Sequence, residues 1–116
     1  MNLKECYAAL GGDYEGVMGR LRTERMVTKF VLKFLDDKSY ESLVDALAGK
    51  NGEDAFRAAH TIKGICQNLS FDRLYESSHA MAECLRGGWD DAALDLAEQL
   101  MTDYRVTADA IRQLDT

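Results

Sequence analysis

Apolar residues in this chain recur every three to four positions, and no segment alternates with period two for long enough to make a strand. Leu3, Tyr7 and Leu10 mark a short helix that Asn2 can cap and Gly11-Gly12 stops. Tyr14, Val17, Met18 and Leu21 mark a second, capped by Asp13 and weakened by Gly16 and Gly19. From Thr23 a wide stripe of Met26, Val27, Phe30, Val31, Phe34 and Leu35 predicts a strong helix, broken at Asp36-Asp37-Lys38. With Ser39 as cap, Tyr40, Leu43, Val44 and Leu47 share one face of the next. Gly49-Lys50-Asn51-Gly52 is the clearest turn, and a helix follows over about residues 53–69. Ser70-Phe71-Asp72 makes a corner, with Asp72 as the expected cap. The helix beyond it runs to about Arg86 and buries Leu74, Ser77, Ser78, Met81, Cys84 and Leu85. After Gly87-Gly88, Asp90 can cap a long last helix with Ala93, Ala97, Leu100, Tyr104, Ala108, Ile111 and Leu114 along one face.

Short connections between amphipathic helices favour antiparallel neighbours. The fold predicted is therefore all-α, an antiparallel up-and-down four-helix bundle with short additional N-terminal helices. One domain is expected over residues 1–116, with residues 1–22 lying across one end and residues 23–116 forming the bundle. Five segments compete for the four places: those starting at Thr23 and Ser39, the 53–69 helix, and the last two.

Composition narrows the function. With 47% apolar and 29% charged residues the chain has the make-up of a globular protein, and an all-helical chain loses nothing by having no proline. A net charge of −6 argues against nucleic acid or an anionic membrane as a general partner. Cys6, Cys66 and Cys84 are an odd set without metal spacing. Cys66 and Cys84 fall on apolar arcs, as small buried residues of a reducing compartment do. No leader pattern opens the chain and no apolar run reaches about 18 residues, so the expected place is the cytoplasm and no membrane is expected as partner.

Chemistry concentrates in the 53–69 helix. With His60 at the origin of a helical wheel, Ala55, Ala58, Ala59, Ile62, Ile65, Cys66 and Leu69 fall on the opposite side, in an arc about 120° wide. Glu53, Arg57, Lys63, Gly64 and Gln67 surround His60, and Phe56 lies one turn before it. Lys63 is placed to sit beside an anion held by the imidazole. Gly64 costs the helix about 1 kcal/mol relative to Ala. Such a residue makes sense where another molecule's backbone must come close. A neutral imidazole is a good nucleophile near neutral pH, so this face presents a nucleophile with a cation and a gap next to it.

The run His60-Thr61-Ile62-Lys63-Gly64, followed by Asn68-Leu69 and Leu74, resembles the signature of histidine phosphotransfer (HPt) domains. It is similar to the phosphotransfer domain of chemotaxis-type histidine kinases. The family's pattern is histidine, a variable residue, an aliphatic one, lysine, glycine, then a small residue two on, closing on leucine-glycine. The resemblance implies a phosphocarrier of bacterial two-component phosphorelays without kinase activity of its own. His60 would be the phosphoacceptor, Lys63 would steady the phosphoryl group, and Gly64 would leave room for the partner. Phe56, Arg57, Gln67 and His79 complete the expected partner-binding set. The implied partners are a response-regulator receiver domain and a histidine kinase. No cofactor or metal is expected on this chain, magnesium belonging to the receiver, and the domain is expected to be a monomer.

Three positions depart from the pattern. Cys66 replaces a small alanine or serine. Ser70 replaces the closing glycine, so the helix is expected to end by a different turn. His79 matches a histidine of the chemotaxis-type domains, in which a glutamate or glutamine three residues on hydrogen-bonds the phosphoacceptor ring. Here that place holds Ala82, and Glu83 lies about 100° further round the helix. The ring of His60 is left to Gln67, to His79 through water, or to nothing, and the domain is expected to serve receivers better than a kinase. Rival readings are a helical adaptor that binds a receiver or kinase without carrying phosphate, and a metal site using His60, His79 and Cys84 or Glu83. The spacing of the latter fits no zinc pattern. A cysteine nucleophile lacks an evident base.

Overall fold

The computed structural model describes residues 1–115. Among them are seven α-helices and no strand: α1 (Leu3–Leu10), α2 (Tyr14–Leu21), α3 (Glu24–Phe34), α4 (Ser39–Ala48), α5 (Gly52–Leu69), α6 (Asp72–Leu85) and α7 (Ala92–Arg112). α5 is the central element, packed between α4 and α6, while α7 packs on α6 and α1 on α7. The most extensive packing joins α4 to α5, α5 to α6 and α6 to α7. α3 packs less extensively, against α2 and α5.

The corner between α5 and α6 is where the core is tied to the N-terminal helices. Phe71 is fully buried there. Its ring meets Tyr7 of α1 at 5.6 Å and Phe34 of α3 at 5.3 Å between centroids. Phe34 in turn meets Tyr104 of α7, and Tyr104 stacks on Tyr40 of α4 at 3.7 Å, so a file of rings crosses the molecule. Apolar residues from Leu3 to Ile111 belong to one continuous core. The Met1 amino group pairs with the Asp115 carboxylate at 2.9 Å, holding α1 to the end of α7.

Capping differs from the sequence reading at several helix starts. Ser39 is the first residue of α4 rather than its cap, and its N–H donates to Asp37 Oδ1 at 2.8 Å. Phe71 occupies the cap position of α6 without a side-chain bond, because the corner is set by burial of its ring and leaves Asp72 in the first turn. Asp90 does accept the N–H of Ala92, although Asp91 is the residue at the cap position. Asn51 caps α5 by accepting the Asp54 N–H, with Glu53 and Asp54 in the first turn where the helix dipole favours acids. Gly52 at that start is required by space: a Cβ there would lie 2.4 Å from the backbone nitrogen of Trp89.

Ser70 takes the left-handed conformation itself, at φ 56° and ψ 40°, so α5 ends in the kind of turn a glycine would make. That conformation costs a residue with a Cβ about 1 kcal/mol or more. Contacts from the N-terminal helices offset it. Arg20 of α2 donates to the carbonyls of Asn68 at 3.1 Å and Gln67 at 3.2 Å, and to the Ser70 hydroxyl. The Tyr7 hydroxyl donates to the Leu69 carbonyl at 2.8 Å, and the Asp13 N–H to the Ser70 carbonyl at 2.8 Å. Carbonyls that the end of a helix leaves unpaired are thus satisfied from elsewhere in the chain.

Candidate functional site

The buried face of α5 carries Ala55, Ala58, Ala59, Ile62, Cys66 and Leu69, and this turns His60 outward to solvent near the middle of the helix. Ile65, expected in the core arc, is only half-buried. It sits at the edge of that arc and lines an open groove with Phe30 and Phe34 of α3. Phe56 is half-buried and its ring stacks on the His60 ring, 5.7 Å between centroids at 21°. Lys63, one turn on, is half-buried.

Gly64 and Gln67 border an open groove of about 340 Å³ with Arg20 and Asn68. A Cβ at Gly64 would meet nothing within 4 Å. Internal packing therefore does not require the glycine. Arg57, expected near a partner, is held back toward the start of α5 by Glu53 at 3.1 Å and Asp54 at 3.4 Å. It lines the polar cleft between α4 and α5 with Asp45 and Thr61, one side away from Phe56.

On α6 the wheel reading needs correction. Ala82, left out of the expected buried set, is completely buried. Glu83 is exposed, and the charges of His79 and Lys63 both act on it. Its carboxyl lies below the ordinary carboxylate range, chiefly because it accepts a hydrogen bond from Arg86, with the charges of Arg86, His79 and Lys63 adding to the effect. His79 is half-buried, stacks on Tyr75 at 5.7 Å, and has its Nδ1 enclosed without a hydrogen-bond partner. Arg86 was missed from the sequence because it follows the last turn of α6. Its guanidinium lies 5.4 Å from the centre of the Phe56 ring.

The cysteines offer no competing nucleophile. Burial raises the Cys6 thiol to about 11 and pushes Cys66 higher still. Cys84, expected in the core, is half-buried, and Ser77 likewise, because both lie at the margins of the α6 contact face. Among the described residues no three or more histidine, cysteine, aspartate or glutamate side chains converge as metal ligands would. No helix among them is long and apolar enough to cross a membrane.

A helical bundle that displays a histidine, a lysine and a bare glycine on its central helix is the outline of a phosphocarrier. The family model described as Hpt domain matches residues 34–116, and the chain belongs to that family. Hpt domains are phosphocarrier modules of phosphorelays, without catalytic activity of their own. The match begins at the last residue of α3, so α1, α2 and nearly all of α3 lie outside it. No curated protein and no solved structure matches the chain.

Proposed function

We propose that this domain accepts a phosphoryl group on His60 and exchanges it with the aspartate of a response-regulator receiver domain. One observation carries the assignment to this residue. The chain has two histidines, and of these His60 is exposed while His79 is half-buried with an enclosed Nδ1. In the transfer, the unprotonated nitrogen of a neutral imidazole forms the N–P bond as the P–O bond to the receiver's aspartate breaks. The carboxylate leaves with the electron pair, and the ring keeps its other proton and becomes cationic. Positioning and charge compensation supply most of what such a transfer needs. Lys63 offers charge, and Phe56 holds the ring by stacking. Magnesium would belong to the receiver, and this chain would need no cofactor of its own. A histidine kinase is the proposed upstream donor, the cytoplasm the proposed location, and a monomeric single domain spanning residues 1–116 the proposed unit.

Mapping tests this. After incubation with a small phosphoramidate donor or a phosphorylated receiver, an acid-labile, base-stable phosphate is expected on the peptide containing His60. No uptake from either donor would favour a helical adaptor that binds without carrying phosphate.

Gly64 gives a second check, on the docking side. Gly64→Ala is expected to stabilise the domain by up to about 1 kcal/mol, because the added Cβ meets nothing and the helix gains an alanine. The same methyl would fill the gap where a receiver's backbone is to approach, so exchange with the receiver should slow. Urea unfolding and receiver-exchange kinetics measure the two effects separately. A stabilised variant with unchanged exchange would show that the gap is not docking clearance.

A further inference from the structure

The ion pair at the end of α6 adds a part to the site, and its meaning rests on His60 being the phosphoacceptor. Arg86 donates from Nη2 to Glu83 Oε1 at 2.6 Å and from Nε to Oε2 at 3.3 Å, a two-point clasp on an exposed carboxylate. The same guanidinium lies over the Phe56 ring, and Phe56 stacks on His60. Arg86, Phe56 and His60 therefore stand in file along one flank. The reach of Arg86 to the Phe56 ring places the pair on the flank of α6 turned toward α5.

Consider this flank with a phosphoryl group on His60. The group brings up to about two negative charges and three acceptor oxygens. Lys63 is the α5 cation one turn away, Glu83 is a like charge, and Arg86 is neutralised by Glu83. The geometry points to Arg86 as a second cation of the phosphorylated state. Glu83 keeps the guanidinium in reserve while His60 is bare, and the phosphoryl group draws it off Glu83 across the face of Phe56. The planar fork of arginine fits a carboxylate and a phosphoryl group equally well, and the more highly charged acceptor wins. Both partners are exposed, so the exchange requires no burial of charge. No covalent bond changes when one ion pair replaces the other.

The test is an exchange equilibrium with N-phosphoimidazole and imidazole, in which one N–P bond replaces another and the constant reports how well the protein holds the group. Arg86→Gln is expected to lower that constant by about fivefold. Arg86→Lys should recover part of the loss, and Glu83→Gln should raise the constant above wild type. In wild type the Nε–Hε resonance of Arg86 should move on phosphorylation. A constant for Arg86→Gln within about twofold of wild type, or an unmoved resonance, overturns the role of Arg86. A wild-type protein that takes no phosphate on His60 overturns the proposed function as well, so the two failures can be told apart.

Discussion

His60→Gln is expected to take up no phosphoryl group from any donor, while its helicity and unfolding midpoint stay close to those of wild type. The amide has no nucleophilic nitrogen, so the loss is of the reaction itself and not of a fraction of its rate. The fold should tolerate it because His60 is exposed and its neighbouring contact is the stack on Phe56. Surface replacements of this kind cost about 0.5 kcal/mol or less. His79→Gln is the informative companion, since it removes the other histidine. It should still be labelled, because the enclosed Nδ1 and the half-buried ring leave that side chain a poor acceptor. Phosphate remaining on His60→Gln, or disappearing in His79→Gln with the fold intact, would move the acceptor off His60 and overturn the assignment. Intact-mass measurement before and after brief acid treatment reads both variants.

Phe71→Ala is expected to be the most damaging single change to stability, at about 3–5 kcal/mol. The ring is fully buried, at the point where the α5–α6 corner meets α1 and α3 through Tyr7 and Phe34. Its neighbours are held by separate helices with separate anchors, so the cavity cannot be filled by one element sliding inward. Domains of this size have about 5–15 kcal/mol in total, and a fall of about 10–20 °C in Tm would follow. Thermal and urea unfolding followed by circular dichroism measure it. A loss under about 1 kcal/mol would mean that the N-terminal helices collapse into the space and that the corner is softer than its packing indicates.

Periodicity was enough to place the helices, because each buries one face and is bounded by a cap, a glycine or a charged break. α5 shows this best: expected over about residues 53–69, it runs Gly52–Leu69. What periodicity leaves undecided is which of two adjacent residues on a partner helix faces a given point. A wheel built for α6 alone cannot say how that helix is rotated against α5, and a rotation of one residue exchanges Ala82 for Glu83. Ile65, Ser77 and Cys84 went astray for the same reason, each lying at the margin of a contact face whose width depends on a neighbour. Arg86 was illegible because it follows the helix and acts through a ring on another one. The tie of Arg57 to Glu53 and Asp54 depends on side-chain rotamers that spacing does not encode.

The turn at Ser70 bears on how sequences of this kind can drift. Its left-handed backbone would suit glycine, and the serine is kept company by a guanidinium from fifty positions earlier. The two sites should therefore vary together: where position 70 reverts to glycine, position 20 is released to change, and where it stays serine the arginine is held. Position 20 lies before the matched stretch of residues 34–116, so the constraint runs from a region a family pattern does not cover into one that it does.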